Sequence, residues 1–269
     1  MTEPAGRPSR TAPWTGGAVG PYATCVLAPN PGPMTLDGTN TWVLQAHPAA
    51  RAVVVDPGPL HERHLAEVRR QAGAVAVVLL THRHADHAEG ARAFAEVAGC
   101  GVRALDPRHR LGSEGLADGD RVEVDGLELR VVATPGHTSD SLSFVLPANG
   151  SVLTGDTVLG RGTTVVAHPD GALGAYLRSL RRLRDLAAAA EVTRILPGHG
   201  PVLDDALTAI DGYLAHREER LQQVRVAVAD GLTKPRAVVE RVYADVDPVL
   251  WPAAELSVAA QLAYLTAGT

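Results

Sequence analysis

Cysteine is nearly absent from this chain: Cys25 and Cys100, far apart, are the whole complement. Two thiols so placed build neither a disulfide framework nor a cysteine-rich zinc site, and they fit a reducing compartment. Lysine is scarcer still. Lys234 is the only one, so arginine supplies nearly all the positive charge, a bias we read as codon usage in a GC-rich genome rather than as function. No stretch approaches the roughly 18 consecutive apolar residues that a membrane helix needs, so the expectation is a soluble protein with no membrane partner. A net charge of −5 and a pI of 6.1 argue against nonspecific nucleic-acid binding by the whole surface, while leaving room for a local basic patch.

What is present suits a globular protein. At 269 residues, 45% hydrophobic and 20% charged, the chain can bury one large core and a small second domain. Residues 1–20 carry prolines, glycines, Arg7 and Arg10 but no apolar run, so they read as a flexible N-terminal tail rather than a secretory signal, and the expected location is cytoplasmic. Short β-rich runs follow at 24–28, 41–46, 52–56, 75–80, 102–105, 121–124, 127–134, 142–146, 151–155, 163–167 and 193–197. Helical spacing over 60–72, 87–98 and 171–190 lies between them, punctuated by Gly73, Gly99 and Gly171. The order mixes hairpins with βα units, an α/β (α+β) class. After residue 204 the strand signals stop and three helices are predicted, 205–229, 234–244 and 251–266, with Thr233 placed to cap the second and Pro235 in its first turn. The expected domains are therefore 21–204 and a helical 205–269.

The segment THRHADHAEG (81–90) gathers His82, His84, Asp86 and His87 where the strand 75–80 ends and a helix is about to begin. Imidazoles and a carboxylate without a thiolate suit zinc or another borderline divalent cation in a hydrolytic site. Solvated loop histidines are the plain alternative, and it suits one histidine better than four coordinating groups in six residues. Three more candidates also sit just past strands: His137 in TPGHTSDS (134–141), Asp156 in TGDT (154–157) and His199 in LPGHG (196–200). Alone each reads as a turn residue; together they predict a common sheet edge.

HxHxDH followed by separate His, Asp and His on strand-end loops resembles the metallo-β-lactamase superfamily, with its αββα sandwich. The resemblance implies a dinuclear centre in which His82, His84 and His137 would hold one metal, Asp86, His87 and His199 the other, and Asp156 would bridge them. It also implies two Zn2+ ions, with Mn2+ or Fe2+ as alternatives, and a metal-bound hydroxide as nucleophile, with Asp86 as the catalytic side chain that orients it. Asp rather than Cys at 156 resembles the glyoxalase II and nuclease branches more than the antibiotic-destroying lactamases. His84, where the flavodiiron branch carries Glu, argues against di-iron redox chemistry. The segments NPGPMTLDGTNTWVL (30–44) and GDTVLGRGTTVV (155–166) and the helical tail resemble the lactamase-β-like protein 2 group. In that group the known activity is metal-dependent endonucleolysis of single-stranded RNA, and the tail is similar to a truncated winged helix.

These ligands fix a reaction type and leave the substrate open. For single-stranded RNA, the leading reading, Arg161, Thr163 and Thr164 would contact phosphate, and Arg178, Arg181, Arg182 and Arg184 would form a stripe facing the backbone. The alternatives are a Gly-flanked turn and the solvated side of an amphipathic helix. His168 would approach the metals or a leaving group, unless it only shapes a turn with Pro169. For a small thioester or ester, as in the glyoxalase II branch, the C-terminal helices would wall off a pocket within reach of Tyr213, His216, Arg217 and Arg220, although packing alone explains Leu214, Leu221 and Val224. The last helix has no basic residue and carries Glu255, so it reads as a packing or dimerising helix rather than a recognition helix, and a homodimer is expected. GTNTW (38–42) is expected to shape a loop over the site, and His47, His61, His64 and His109 have no evident partner.

Overall fold

Ten of the eleven extended runs, joined by residues 17–19, pair into two sheets in a computed structural model of the chain, which describes residues 12–267. The first sheet runs in sequence order through β1 (Gly17–Val19), β2 (Ala23–Leu27), β3 (Asn40–Leu44), β4 (Ala52–Val55), β5 (Val75–Leu79) and β6 (Gly101–Arg103). The second contains β7 (Arg121–Val124), β8 (Leu127–Ala133), β9 (Leu142–Leu146), β10 (Ser151–Gly155) and β11 (Arg194–Pro197), in the order β11-β10-β9-β8-β7. Short connections give antiparallel pairs. The β7–β8 turn is one, made by Asp125 and Gly126, both at positive φ (47° and 91°), the geometry whose twist suits a two-residue hairpin. Where a helix intervenes the pairing is parallel: α1 (Glu62–Ala72) joins β4 to β5, and α2 (Ala85–Ala88) with α3 (Ala91–Ala98) joins β5 to β6.

A period of two along each strand sorts side chains between the layers. Trp42, Leu44, Val53 and Val55 from the first sheet meet Leu129, Leu142, Phe144 and Leu153 from the second between the sheets. Their alternates Val43, Ala52 and Val54 turn outward onto Val68, Phe94 and Ala95 of α1 and α3. On the other side Val145, Val152 and Ile195 face Tyr176, Leu180 and Leu183 of α4 (Leu173–Ala188) and Ile210 and Tyr213 of α5 (Ala206–Ala229). The resulting order of helices, sheet, sheet, helices is the expected αββα arrangement. Beyond it, α5 continues into a separate small core in which Val224 and Ala227 pack on Val238 and Val239 of α6 (Pro235–Val242) and Ala254 and Val258 of α7 (Trp251–Ala267). Among the described residues, no helix is long and apolar enough to cross a membrane.

Four local expectations need correction. Residues 163–167 form no strand, because their polar backbone groups are taken by other partners: Arg217 donates to the Thr164 carbonyl, the Val165 carbonyl meets His137 Nδ1 at 2.7 Å, and the Val166 amide donates to Ser257 Oγ at 3.3 Å. The helix read over 87–98 is two pieces, broken at Gly90, where a side chain would collide with the carbonyls of Gly58 and Pro59. The tail read over 1–20 is structured in its described part, since Trp14 packs on the core and donates to Asn40 Oδ1 at 2.8 Å, and Gly17–Val19 pair with β2; residues 1–11 lie outside the described residues. Lys234, not Thr233, occupies the position before α6, without a side-chain cap.

His64 on α1 also has a partner after all. It is 4% exposed, and its Nε2 lies 2.9 Å from Thr41 Oγ1, whose single proton is committed to the Asp56 carbonyl, so His64 donates. Burial pushes its pKa down to about 4. The folded state thus binds this proton more weakly than the unfolded chain, so the stability it contributes is complete above about pH 6.5 and is lost as pH falls toward 4, by about 2 kcal/mol at pH 5. Denaturant titrations at pH 7.5 and 5 should show His64→Gln losing about that much less than the parent; equal losses would mean that His64 does not titrate in this way.

Candidate metal centre

Every side chain singled out for the centre emerges at one end of the two sheets. His82, His84, Asp86 and His87 follow β5, Asp156 follows β10, His137 lies beyond β8 and His199 beyond β11. The sheets are joined at that end. The Leu142 amide donates to the Thr81 carbonyl at 2.8 Å, Thr39 forms an isolated bridge with His199, and the Asn40 side chain donates to the Pro197 and Gly200 carbonyls at 2.9 and 2.8 Å, clamping the loop that carries His199. Gly198 has to be glycine because a Cβ there would sit 2.6 Å from Asp156 Oδ1 and 2.8 Å from His87 Cε1.

The hydrogen-bond pattern fixes which ring nitrogen of each histidine is free. His137 Nδ1 faces the Val165 carbonyl at 2.7 Å and His199 Nδ1 the Gly38 carbonyl at 3.0 Å; a carbonyl only accepts, so both Nδ1 atoms carry the proton. Thr81 gives its hydroxyl proton to Asp56 Oδ2 at 2.6 Å and therefore accepts from His82 Nδ1 at 3.0 Å. His87 Nδ1 donates to the same Asp56 oxygen at 2.9 Å. All four rings thus turn Nε2 inward, and these atoms converge with Nδ1 of His84 and with Asp86 and Asp156.

Two groups result. His84 Nδ1 lies 3.1 Å from His82 Nε2 and 3.0 Å from His137 Nε2, with Asp156 Oδ2 at 3.7 Å from the latter. His87 Nε2 lies 3.2 Å from His199 Nε2, 3.5 Å from Asp86 Oδ2 and 3.4 Å from Asp156 Oδ1, and His199 Nε2 is 3.1 Å from Asp86 Oδ2. Zinc ligands about 2.0–2.2 Å from a tetrahedral ion lie roughly 3.3–3.5 Å from one another, so both groups have the dimensions of a coordination shell. Asp156 Oδ1 is buried without a hydrogen-bond donor, and facing lone pairs near 3 Å repel unless a proton or a cation lies between them. The donor set fits two divalent cations that share Asp156. Asp56, although it also lies within the cluster, already accepts from the Thr81 amide at 2.8 Å, the Thr81 hydroxyl and His87, so it orients His87 rather than offering a ligand atom.

The electrostatics reflect a need for positive charge. Burial pushes His82 well below the ordinary histidine pKa and lowers His84, and neighbouring imidazoles add to both effects. Burial works in the same sense at His87 and His199, but there the Asp156 carboxylate outweighs it, holding His87 well above the ordinary value and pushing His199 up to about 9. Burial opposes ionisation of the carboxylates too, yet His87 and His199 take Asp86 down to about 2 and hold Asp156 well below the usual range. Protons on His87 and His199 thus stand in for cationic charge.

The other candidates divide. A cleft of about 330 Å³ opens beside His137 and Asp156, and Arg161, Thr163, Thr164, His216, Arg217 and Arg220 line it. Thr164 is buried and spends its hydroxyl on the Asp156 carbonyl at 2.6 Å, and Arg161 is paired with Asp37 Oδ2 at 2.5 Å. His168 is not brought to the cleft; its amide donates to the Leu256 carbonyl and its ring borders a different hollow near Tyr264. Tyr213 accepts from the Leu159 amide and is structural. In the α4 stripe, Arg182 pairs with Asp118 and Arg184 with Asp211. Sequence reading missed Asp56 and Thr81. Asp56 follows the apolar run AVVV as the other candidates follow theirs, but Pro57 and Gly58 behind it make it look like a turn residue.

Asp56 holds φ near 50°, which Asn tolerates, so Asp56→Asn should fold normally. Without the carboxylate to orient His87, divalent-cation affinity should drop about 10–100-fold in a competition titration against a chromophoric chelator. Unchanged affinity would remove Asp56 from that role.

Comparison with known proteins agrees with this architecture. The family described as "Metallo-beta-lactamase superfamily" matches residues 34–199, and "Beta-lactamase associated winged helix domain" matches residues 235–267. A "Beta-lactamase-like protein 2 homolog" from Caenorhabditis elegans is 34% identical over 235 residues, 82% of this chain and 76% of that one. An "Atrochrysone carboxyl ACP thioesterase" from Aspergillus fumigatus is 33% identical over 227 residues, 81% of this chain and 68% of that one. Among solved structures, a β-lactamase domain protein from Burkholderia ambifaria shares the fold with a TM-score of 0.79 at 24% identity, covering 97% of this chain and 91% of that one. The chain therefore belongs to the metallo-β-lactamase superfamily of metal-dependent hydrolases and carries a winged-helix domain after the hydrolase fold.

Proposed function

We propose that this protein hydrolyses a thioester whose acyl group is largely apolar. The observation that carries this reading is the cleft at His137 and Asp156. Met34, Leu36, Leu159 and Val165 line it from the hydrolase fold, and Tyr243, Val246 and Leu250 close it from the C-terminal side. A walled apolar slot suits an acyl chain. The relative named as a thioesterase supports the same chemistry. Single-stranded RNA, which the resemblance to the lactamase-β-like protein 2 group implies, draws less from the geometry. Of the arginines expected to face phosphate, Arg161, Arg182 and Arg184 are each paired with an aspartate, and Arg178 and Arg181, which carry no ion pair among the described residues, lie outside the cleft.

In this reading His82, His84 and His137 would hold one cation and Asp86, His87 and His199 the other, with Asp156 available to both groups. All-nitrogen-and-oxygen donors suit zinc, with manganese or iron(II) as alternatives. When bound, the two cations acidify water and polarise the scissile carbonyl. The chain's own groups do the rest. Asp86, at 29% exposure of its side chain, holds the proton of the attacking water, and the apolar wall excludes competing solvent. Water oxygen bonds to the acyl carbon, the C–S bond breaks, and the thiol leaves with a proton beside the carboxylate product. We place the domain boundary near residue 204, so that α5 belongs with the C-terminal unit that closes the cleft. The two free thiols fit a reducing cytoplasm, and the apolar α7 fits a homodimer.

Purified protein should carry two divalent cations per chain by elemental analysis and should hydrolyse octanoyl-N-acetylcysteamine. Asp156→Ala should lower kcat by at least 100-fold and reduce the cation count. Cleavage of a single-stranded RNA oligonucleotide, with no thioester turnover, would overturn the thioesterase reading and favour the nuclease.

A further inference from the structure

Arg217 is the one arginine among the described residues that is less than a tenth exposed, at 7%. It has no carboxylate within ion-pairing distance. One guanidinium nitrogen donates to the Thr164 carbonyl, the plane lies 5.0 Å from the centre of the Tyr176 ring, and Nε is buried with no hydrogen-bond partner. Three residues on, Arg220 faces the same cleft. It donates to the Val242 carbonyl at 2.6 Å and to Gln223 Oε1 at 3.1 Å, and it stacks 4.6 Å over Tyr243. Its nearest carboxylate is Asp245 at 3.9 Å, which is 77% exposed. Acid is not in short supply, for the chain has 30 acidic against 25 basic residues and the arginines outside the cleft are widely paired. A buried cation left without a counter-ion is costly unless something supplies the negative charge.

We propose that Arg217 and Arg220 of α5 form an anion subsite in the cleft, which receives a second, negatively charged group of the substrate away from the bond that breaks. The inference rests on the thioesterase reading for what the substrate is, but not for the existence of the subsite. Thr164 gives the spacing. Its carbonyl accepts from Arg217 while its hydroxyl donates to the Asp156 carbonyl, so one residue separates the anion receiver from the metal centre. A planar guanidinium backed by a carbonyl and an aromatic face keeps its remaining N–H groups oriented for carboxylate or phosphate. His216 adds a further polar group on the same wall, and burial together with the two arginines lowers its pKa, which favours the neutral ring. The anion has two sources in a thioester: a carboxylate at the far end of the acyl chain, or the phosphates of a carrier thiol such as coenzyme A.

The test compares three ligands on the intact, metal-loaded protein: octanoyl-N-acetylcysteamine, its counterpart with a terminal carboxylate on the acyl chain, and octanoyl-coenzyme A. KM is measured for each thioester, and calorimetric Kd for each non-hydrolysable amide analogue. One anionic ligand should bind at least tenfold more tightly than the neutral one, and that ratio should collapse in Arg220→Gln and in Arg217→Met, with Arg217→Lys retaining part of it. Preference for the terminal carboxylate identifies the acyl end; preference for the coenzyme A form identifies the carrier. If Arg217 is only a staple on Thr164, its variants will lower kcat without changing the ratio, and that result, like equal binding of all three ligands, overturns the proposal. Discriminating amide binding without any thioester turnover would retain the subsite and remove the thioesterase reading, whereas turnover without discrimination would do the reverse.

Discussion

Seven ligand-type side chains cannot share a small buried volume unless something holds them against their own repulsion. The inner ring nitrogens of five imidazoles converge, and two carboxylates lie among them, at separations between 3.0 and 3.7 Å. Much of the surrounding structure resists that repulsion. The Val165 and Gly38 carbonyls, Thr81 and Asp56 each take the outer nitrogen of one ring and so fix both its tautomer and its direction. The sheets are tied across the same end by Asn40 and the Thr81–Leu142 hydrogen bond, because a ligand set drawn from both sheets keeps its spacing only if the sheets cannot slide.

That constraint explains several sequence features that fold propensity does not. Gly198 lies where a methyl group would strike Asp156 and His87, and Gly155 at φ 48° lets β10 pass against Thr81. Asn40 sits in the interior of the chain with its amide fully used: Nδ2 serves two carbonyls, and Oδ1 accepts from Trp14 and Cys25. A buried amide is tolerated only when satisfied in this way. Segment 163–167, with strand-like composition, gives up a ladder to supply the Val165 carbonyl to His137 and the Thr164 carbonyl to Arg217.

The strands and helices were legible in the sequence because their signals are local. Arg121 and Glu123 alternate with Val122 and Val124 in a period that the chain states directly, and the apolar positions of α4 recur every three or four residues. The candidate ligands were legible for a different reason, since His and Asp cluster just past apolar runs. What was not legible depends on contacts between distant segments. Asp56 supports His87 from 31 residues away, where Pro57 and Gly58 make it look like a turn residue, and Asn40, in a segment expected only to shape a loop over the site, clamps a loop 157 and 160 residues distant. Trp14 was hidden for the same reason, because its value lies in reaching Asn40 from a segment whose composition suggests a tail.

The division of labour between the two ends of the chain follows from the same physics. Strand ends are rigid and few, so they suit a centre whose spacing must hold to tenths of an ångström. A helix laid across the opening can carry any side chain its packing face does not need, and α5 uses Tyr213, Leu221 and Val224 for packing while turning His216 and Arg220 to the cleft. Arg217 belongs to both sets, being buried with the packing residues yet charged. Its guanidinium joins the C-terminal helices to Thr164, and through Thr164 to the Asp156 backbone, so the cleft wall and the candidate metal centre meet in one chain of hydrogen bonds. Change in the C-terminal helices can then reshape the cleft without disturbing the strand-end geometry that positions the candidate ligands.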